Sequence, residues 1–587
     1  MKLKNIIKVG VATIVAVTGF SSCSDFLTIY PTDKTIGEDF WKSKEDVQEM
    51  VAGAYSSMCS YDCQTRAIIW GAFRSDELVK YSNFNDAGLD NINVVNLLPT
   101  NGYNNWAAFY SVINRCNIVL NHAPHVMEID PVFTGGDYQI TRAQMLALRS
   151  LCYFYLVRTF RDVPYTTQSY EDDDQFMTIP QTCPDSVLQF CIRDLEEAEQ
   201  GIMKSGSYSD WRDKGYFTRD AVNALLADIY LWRGSMTKSQ SDYQKCIEYA
   251  DKVINSKDAY FKATSSDFSS GSGEIDPYHL YKGEEAMYQI FTIGNSRESI
   301  LEWQYDGTNN SNTGLENMYY ESGNSDNHAT TSVLMASQIF NYFADNSNTI
   351  QGQKVFTTTH DLRYWNSTYG VNNNEATELS VRKMVNNSFS TVSTNSTVGE
   401  PKSNSRGFDY FAQNWIVYRL TDVMLMKAEA LVQTASSDSD KVVLNQAYDI
   451  VNVINQRSLN EGKRDADTLH IDNYPNKETM ELLVLAERER ELCYEGKRWF
   501  DLVRFCYRHM DGVDIKKKMA DQTSWPALYK PMIRLITRKY LSGGEAVSAK
   551  MKTEPYLYWP ILESEIRVNK NLQQNPVYEL DKTTSKN

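Results

Sequence analysis

The sequence predicts a mainly α-helical fold of paired helices, with loop-rich, partly β insertions between the pairs. Apolar residues recur with the i, i+3, i+4, i+7 spacing of one buried helical face, as at Leu148, Leu151, Cys152 and Tyr155. Each such stretch is separated from a second one by a polar break. The predicted pairs join 104–122 with 141–160, 218–232 with 243–255, and 412–434 with 443–458.

Each predicted pair is close in length to a tetratricopeptide-type repeat. In repeats of this class, one helix pair cannot bury its apolar face alone and does so by stacking on the next pair. The sequence therefore predicts a scaffold of stacked helix pairs.

Long polar stretches separate these pairs and exceed what a minimal helical repeat needs. They comprise 261–280, 306–330 and 366–405, which are rich in Asn, Ser, Thr, Gly and Asp. Two short apolar runs beside them, Met287–Thr292 and Ser299–Tyr305, read as strands. Loops of this length in a compact protein are usually either functional or disordered.

The first 22 residues have the pattern of an export signal. Three lysines, Lys2, Lys4 and Lys8, precede the apolar stretch Val9–Phe20, which is too short to span a bilayer. Small residues then lead to Cys23, the residue that lipoprotein processing requires. We predict cleavage before Cys23 and lipid attachment at its thiol, with an ordinary secretory signal as the alternative.

The charge balance and the cysteine count exclude other classes. With 75 acidic against 59 basic residues, the net charge is −16, so a phosphate backbone would be repelled and nucleic acid is not an expected partner. Nine cysteines follow Cys23, an odd number that argues against a complete disulfide framework. Cys59 and Cys63, four residues apart, leave a disulfide or a metal half-site open.

Several motifs, in order along the chain, carry a family resemblance. They are Cys23–Leu27 with Pro31, Leu148–Pro164, Tyr418–Ala430, Glu487–Leu502 and Trp559–Pro576. This set resembles the SusD/RagB family of outer-membrane nutrient-binding lipoproteins. Within the second motif, Arg161 stands where the family usually has glycine.

The resemblance implies a right-handed, tetratricopeptide-like helical fold and attachment to the outer face of a Gram-negative outer membrane. It implies a non-enzymatic protein that captures oligosaccharide and delivers it to a SusC-like TonB-dependent transporter. A peptide-capturing RagB-type protein and an exported helical glycoside hydrolase or lyase are the alternatives. The predicted division is a signal peptide at 1–22, an N-terminal region at 23–290, and a C-terminal region with binding loops at 291–587.

No motif predicts catalysis, a metal or a cofactor. Glu487 and Glu491 stand one helical turn apart, as a glycosidase pair could, but Arg488 and Arg490 offer counter-charges, so we read them as ion-paired scaffold. The seven histidines include no HExxH pattern, and no Cys/His spacing forms a zinc site.

Ligand recognition is predicted in the polar insertions, where loop aromatics would stack on sugar rings and polar groups would meet the hydroxyls. The predicted ligand-binding residues are Asp76, Tyr81, Asn101, Tyr103, Tyr305, Tyr319 and Tyr320. Trp106, Trp499 and Trp559, which lie in scaffold motifs, are predicted to be core residues instead.

Overall fold

The computed structural model describes residues 40–172, 175, 178–264, 278–319, 333–342, 354–369, 379–390, 393–394, 397–398, 402–405, 411–460 and 464–579. The predicted signal peptide and Cys23 lie outside this range. The α-helices of the described residues are α1 (Lys44–Met58), α2 (Tyr61–Ile68), α3 (Ala87–Asn93), α4 (Ala107–Ile129), α5 (Gly135–Phe160), α6 (Pro184–Gly201), α7 (Arg212–Gly215), α8 (Arg219–Thr237), α9 (Gln240–Thr264), α10 (Gly283–Met287), α11 (Thr313–Tyr319), α12 (Leu362–Ser367), α13 (Leu420–Thr434), α14 (Lys441–Ser458), α15 (Arg464–Asp467), α16 (Lys477–Leu492), α17 (Arg498–Arg508), α18 (Lys530–Thr537), α19 (Gly544–Lys550) and α20 (Glu563–Val568).

The long helices form a continuous packed series. Contacts join α1 to α4, α4 to α5, α5 to α6, α6 to α8, α8 to α9, α9 to α13, α13 to α14, and α14 to α16. The three predicted helix pairs are α4 with α5, α8 with α9, and α13 with α14, so the mainly helical, tetratricopeptide-like prediction is confirmed. No described helix is both long and apolar enough to cross a membrane.

Side-chain caps fix where several of these helices begin. At the start of α1, Ser43 accepts from the Asp46 amide while the Asp46 carboxylate accepts from the Ser43 amide. The same reciprocal arrangement opens α5, with Thr134 and Asp137. These bonds satisfy amides that have no partner inside the helix, which defines the helix start.

The strands are short and form six separate antiparallel pairs among the described residues. They are β1 (Leu78–Lys80), β2 (Val163–Pro164), β3 (Gln181–Thr182), β4 (Ser299–Trp303), β5 (Leu334–Ala336), β6 (Thr368–Tyr369), β7 (Ser380–Val381), β8 (Asn386–Ser390), β9 (Ser393–Thr394), β10 (Thr397–Val398), β11 (Lys402–Ser405) and β12 (Trp415–Arg419). The pairs are β1 with β5, β2 with β3, β4 with β12, β6 with β7, β8 with β11, and β9 with β10.

Of the two predicted strands, one is confirmed and one is wrong. Ser299–Tyr305 contains β4, whereas Met287–Thr292 is helical, since α10 ends at Met287 and a π-helical segment covers Tyr288–Ile293. A six-residue apolar run does not by its spacing distinguish a buried strand from a buried helical turn.

Arg161 terminates α5 in a left-handed backbone conformation, with φ +67°. Its guanidinium is fully buried, and its Nε donates to Glu554 at 3.0 Å and its Nη1 to Asp162 at 2.9 Å. A side chain at positive φ is strained, and these buried ion pairs offset that strain. Arg161 thus makes a turn that glycine would make freely, and its ion pair with Glu554 also connects the end of α5 to a segment 393 residues further along the chain.

The core consists of two apolar clusters, a large one that runs through most of the molecule and a smaller one centred on α13, α14 and α16. Trp106, Trp499 and Trp559 are 2%, 1% and 1% exposed. Their prediction as core residues is confirmed.

Candidate functional site

A cavity of about 570 Å³ opens where five chain segments meet. It lies between α1, the middle of α5, α7 and the residues after it, the loops flanking β4, and the segment preceding β12. The lining residues are Ala52, Tyr55, Ser56, Met58, Cys59, Leu148, Leu151, Trp211, Gly215, Tyr216, Phe217, Ile293, Asn295, Leu301, Trp303, Gln304, Tyr305, Asp306, Asn310, Ala412 and Asn414. The set combines aromatic rings with side-chain amides.

Three aromatic rings form one side of the cavity. Tyr55 and Tyr216 stack with ring centroids 4.3 Å apart and planes 12° from parallel. Trp211 meets Tyr216 edge to face at 5.6 Å and is 49% exposed, which is unusual for a tryptophan. Since neighbouring rings hold Trp211 while much of its surface remains exposed, it offers a flat apolar platform to a ligand.

Gly215 makes this arrangement possible. A Cβ at position 215 would lie 2.6 Å from Cγ of Gln304 and 2.8 Å from the ring of Trp211. Both distances are shorter than real Cβ contacts allow. Because Gly215 has no side chain, the indole of Trp211 and the side chain of Gln304 can lie close together in the cavity lining.

Side-chain amides lie next to these rings in the lining and hold one another in place. Asn295 donates to Oε1 of Gln304 at 3.0 Å, and Gln304 donates back to Oδ1 of Asn295 at 2.8 Å. Asn414 donates to the buried carboxylate of Glu302 at 2.8 Å and to Gln304 at 3.1 Å. Each amide carries donors and an acceptor, so the group matches hydroxyls, which also do both.

Asp306 is an exposed carboxylate at the rim of the cavity. Its Oδ1 accepts from the backbone amides of Asn310, Thr308 and Asn309 at 2.9, 2.8 and 2.7 Å. These bonds to the amides of Asn310 and Thr308, together with the Asn309 side chain, lower the pKa of Asp306 to about 2. The carboxylate thus stays negative and fixes the turn that carries Asn310.

The inner wall contains Trp303, Tyr305 and Cys59. Trp303 and Tyr305 are 5% and 7% exposed, and the Tyr305 hydroxyl donates to the Cys59 carbonyl at 3.1 Å. Cys59 and Cys63 are free thiols rather than a disulfide. Burial raises the pKa of each thiol to about 12, which keeps both neutral and unreactive.

Of the residues predicted to bind ligand, Tyr305 lines the cavity and Asp76 lies far from solvent. Asp76 is fully buried, and its carboxylate accepts from Arg498 at 3.0 Å and from Arg538. Burial would raise its pKa, but these two guanidinium groups outweigh that effect and lower it. With both oxygens committed to arginines, Asp76 has the environment of a scaffold residue.

Tyr319, the first of two adjacent tyrosines predicted to bind ligand, does not line the cavity. Tyr319 is fully buried, and its hydroxyl donates to the Tyr494 carbonyl at 3.2 Å. Tyr320 lies outside the described residues.

The remaining predicted residues lie around the loop that leads into α4. Asn101 is 8% exposed and caps the short 3-10 turn Gly102–Asn104, accepting from the Tyr103 amide at 3.0 Å. The Tyr103 hydroxyl donates to Asp86 at 2.8 Å, and Tyr81, half-buried, accepts from Asn83 at 3.1 Å. None of these three predicted residues lines the cavity, whereas Tyr305 does.

The carboxylates on α16 belong to an interior ion network. Glu491 accepts from Arg419 at 2.6 Å, from Arg363 at 2.9 Å and from Arg457. Burial would raise the pKa of Glu491, but these three arginines outweigh it and hold the pKa well below its usual range. Two groups of buried ion pairs lie along α16, and both are meant by the ion network. One group joins Glu487, Glu491 and Glu495 with Arg363, Arg419 and Arg457, and the other joins Asp76 and Glu489 with Arg498 and Arg538.

The environment of Glu487 and Glu491 supports their prediction as ion-paired scaffold, although the partners differ from those expected. Arg490 pairs with Glu487 at 2.7 Å, as predicted. Arg488 instead pairs with Asp422 and Asp501. Among the residues that the structure describes, no group of three or more His, Cys, Asp or Glu could hold a metal ion.

Sequence reasoning missed Trp211, Tyr216 and Tyr55. The segment 207–217, which reads SYSDWRDKGYF, places two aromatics around a glycine among small polar residues. That composition is typical of a recognition loop. This composition could have indicated the site. The segment lies between two helical stretches, however, and its short length is also typical of a simple connecting loop.

Two family models match consecutive parts of the chain. One is described as the SusD family and matches residues 297–578. The other is described as "Starch-binding associating with outer membrane" and matches residues 25–231. The predicted division at residue 290 stays a prediction.

Relatives and solved structures agree with these matches. A SusD-like protein of Formosa agariphila is 25% identical over 556 residues, which is 91% of this chain and 97% of the relative. The fold resembles a SusD superfamily protein from Bacteroides thetaiotaomicron, with a TM-score of 0.58, 22% identity, and coverage of 92% of this chain and 99% of that one. It also resembles B. fragilis NanU, with a TM-score of 0.61, 16% identity, and coverage of 94% and 100%.

The matched ranges, the relatives along nearly their full length and the shared helical fold all point to the same family. No catalytic family is indicated by these relatives, which are named as SusD-like proteins. The chain therefore belongs to the SusD/RagB family.

Proposed function

We propose that this chain is a cell-surface lipoprotein that captures an oligosaccharide in the cavity and does no chemistry on it. The observation that carries the proposal is the cavity itself, in which the exposed ring of Trp211 lies beside the amides of Asn295 and Gln304. A pyranose ring has an apolar face and a rim of hydroxyls. An aromatic platform with amides at its edge is complementary to both.

Family membership supports the same proposal. One matching family is described as starch-binding and associated with the outer membrane. The cavity volume of about 570 Å³ lies in the range of small-molecule sites and would hold a few sugar rings.

The direct test is calorimetric titration of the full chain, purified in detergent, with an array of oligosaccharides, followed by the Trp211→Ala variant. We expect the variant to bind at least tenfold more weakly, which is about 1.4 kcal/mol, with little loss of stability since Trp211 is half exposed. Tyr260→Ala is the matched control, because Tyr260 is 47% exposed and does not line the cavity. If both variants bind like the wild type, the cavity is not the site.

The rival functions are separated by product analysis and by peptides. A capture protein returns the oligosaccharide intact after long incubation, whereas a glycoside hydrolase or lyase shortens it. A RagB-type protein would bind random peptides and leave the oligosaccharides unbound. A shortened oligosaccharide, or binding of peptides without binding of oligosaccharides, would contradict the proposal.

We also propose that Cys23 carries the lipid that holds the protein on the extracellular face of the outer membrane. The support is the leader pattern before Cys23 and the absence of basic excess that could bind anionic lipid, given the net charge of −16. Cys23→Ala should move the protein from the membrane fraction to the soluble fraction. Retention of the variant in outer membranes of cells that lack the partner transporter would contradict lipid anchoring.

Delivery to a SusC-like TonB-dependent transporter completes the proposed function. It rests on family resemblance, and its test is co-purification of the tagged chain from outer membranes. The expected result is a stoichiometric complex with a barrel protein of that class, and recovery of the chain alone would contradict it.

A further inference from the structure

The cavity contains hydrogen-bonding groups of both kinds but no positive charge. Among the described residues that line it there is no Lys, Arg or His, and Asp306 is the one charged side chain. The other polar groups of the lining are amides and hydroxyls, which are Ser56, Asn295, Gln304, Asn310, Asn414 and the tyrosines. This charge pattern bears on which class of saccharide fits.

The cations closest in sequence to the aromatic platform are already paired. Arg212 bonds to Asp210 at 2.7 Å, and Lys214 bonds to Asp213 at 2.8 Å. Both pairs belong to the turn that carries Trp211. Each cation beside the platform is therefore balanced by a neighbouring carboxylate, and neither of them lines the cavity.

Recognition of an anionic sugar ordinarily uses arginine or lysine, because a carboxylate or sulfate gives up strong hydration on binding and needs a charged donor in return. The amide group of Asn295, Gln304 and Asn414 cannot supply that charge. Asp306 at the rim adds repulsion, and its three backbone hydrogen bonds hold the carboxylate in place.

We infer that the cavity selects uncharged saccharides and rejects those that carry uronic acid, sialic acid or sulfate groups. This inference rests on the proposed function and makes it narrower. The amides pair with hydroxyls, the rings stack on apolar sugar faces, and the absence of cations from the lining, together with Asp306, excludes acidic sugars.

The test compares one oligosaccharide in two charge states. A neutral hexasaccharide that binds the full chain is oxidised at its primary alcohols to carboxylates, and both forms are titrated calorimetrically. We expect the oxidised form to bind at least tenfold more weakly. Equal or tighter binding of the oxidised form would overturn the inference and leave glycan capture standing.

An array of neutral and acidic oligosaccharides makes failure of the two ideas distinguishable. If acidic members bind and neutral members do not, the inference is wrong and the proposed function is right. If no member binds, the proposed function is wrong and the inference falls with it.

Substitution at the rim tests the physical cause. Asp306→Asn keeps an oxygen that can accept from the three backbone amides, so the turn is retained. We expect it to tighten binding of the oxidised hexasaccharide several-fold and to leave the neutral form within twofold. Asp511→Asn, an equal change of charge at a side chain that is 97% exposed and outside the lining, should do neither. Identical effects of the two variants would show that net charge rather than the rim governs selection.

Discussion

Polar side chains are arranged differently in two regions of the molecule, the ion network beside α16 and α17 and the cavity beside α7 and β4. In the ion network, Glu491 is 2% exposed and meets three arginines. In the cavity, Asn295 and Asp306 are exposed, and their hydrogen bonds are to amides rather than to cations. Charges are thus paired with one another in the ion network, whereas the cavity presents mainly neutral donors and acceptors.

The partners of a carboxylate distinguish a scaffold residue from a rim residue in this fold. Glu491 is bonded to arginines, and Asp306 is bonded to backbone amides. An Asp or Glu with several arginine partners is costly to bury and even more costly to leave with one partner missing. It therefore belongs to the scaffold whatever its position in a loop suggests.

Removal of Glu491 should destabilise the fold strongly. Glu491→Ala takes one carboxylate from Arg363, Arg419 and Arg457, and loss of one partner from a buried ion group costs about 3–5 kcal/mol. Denaturant unfolding measures this loss. Glu478→Ala, at an exposed position in the first turn of the same helix, should cost less than about 1 kcal/mol. Equal costs would show that the ion network does not stabilise the fold.

Neutralising Asp76 should lower stability without weakening ligand binding. Asp76→Asn removes the charge that faces Arg498 and Arg538, and a buried hydrogen bond to a charged group contributes about 1.5–3 kcal/mol. Unfolding and calorimetric titration of the same folded variant give the two readings. Weaker ligand binding with unchanged stability would return Asp76 to the binding site.

Lys257 should make stability depend on pH above neutrality. Burial lowers the pKa of Lys257 in the folded protein to about 7. Between pH 7 and the higher pKa of the unfolded chain, the unfolded chain therefore binds more protons than the folded one, and the free energy of unfolding rises with pH. The contribution from pH 7 to 9 is about 2 kcal/mol. Lys539 is buried with the same lowered pKa and contributes a similar rise, so Lys257→Met should show a rise smaller than the wild type's by about 2 kcal/mol. Lys262→Met, at an exposed position of the same helix, should keep the full rise. A rise of equal size in Lys257→Met and the wild type would contradict the assignment.

Ligand binding should hardly change with pH across the neutral range. The pKa of Asp306 is about 2, and burial raises the pKa of Tyr55, Tyr305 and Cys59 above their usual values. The charge of the cavity is therefore constant between about pH 4 and about pH 8. Calorimetric titration at these limits should agree within twofold, and a steep change would show that another titratable group contacts the ligand.

The sequence predicted the helical scaffold better than the site. Helical spacing at positions such as Leu148 and Leu225 reflects burial of one face, and that constraint is local enough to read directly. Tyr305, predicted to bind ligand, lines the cavity, although its hydroxyl is directed inward to Cys59. The pairing of Asp76 with Arg498 joins residues 422 positions apart, and no local pattern indicates it.

The cavity is lined by residues from position 52 to position 414, and none of its walls is contributed by one continuous segment. It cannot exist until distant parts of the chain have docked, so an incompletely folded chain has no place for a saccharide. By mass action, a ligand that binds only the completed fold stabilises all of it, by about 2.7 kcal/mol at a hundredfold excess over its Kd. A ligand held in this cavity would thus also stabilise the whole fold, and the ligand-bound protein would resist unfolding more than the free protein.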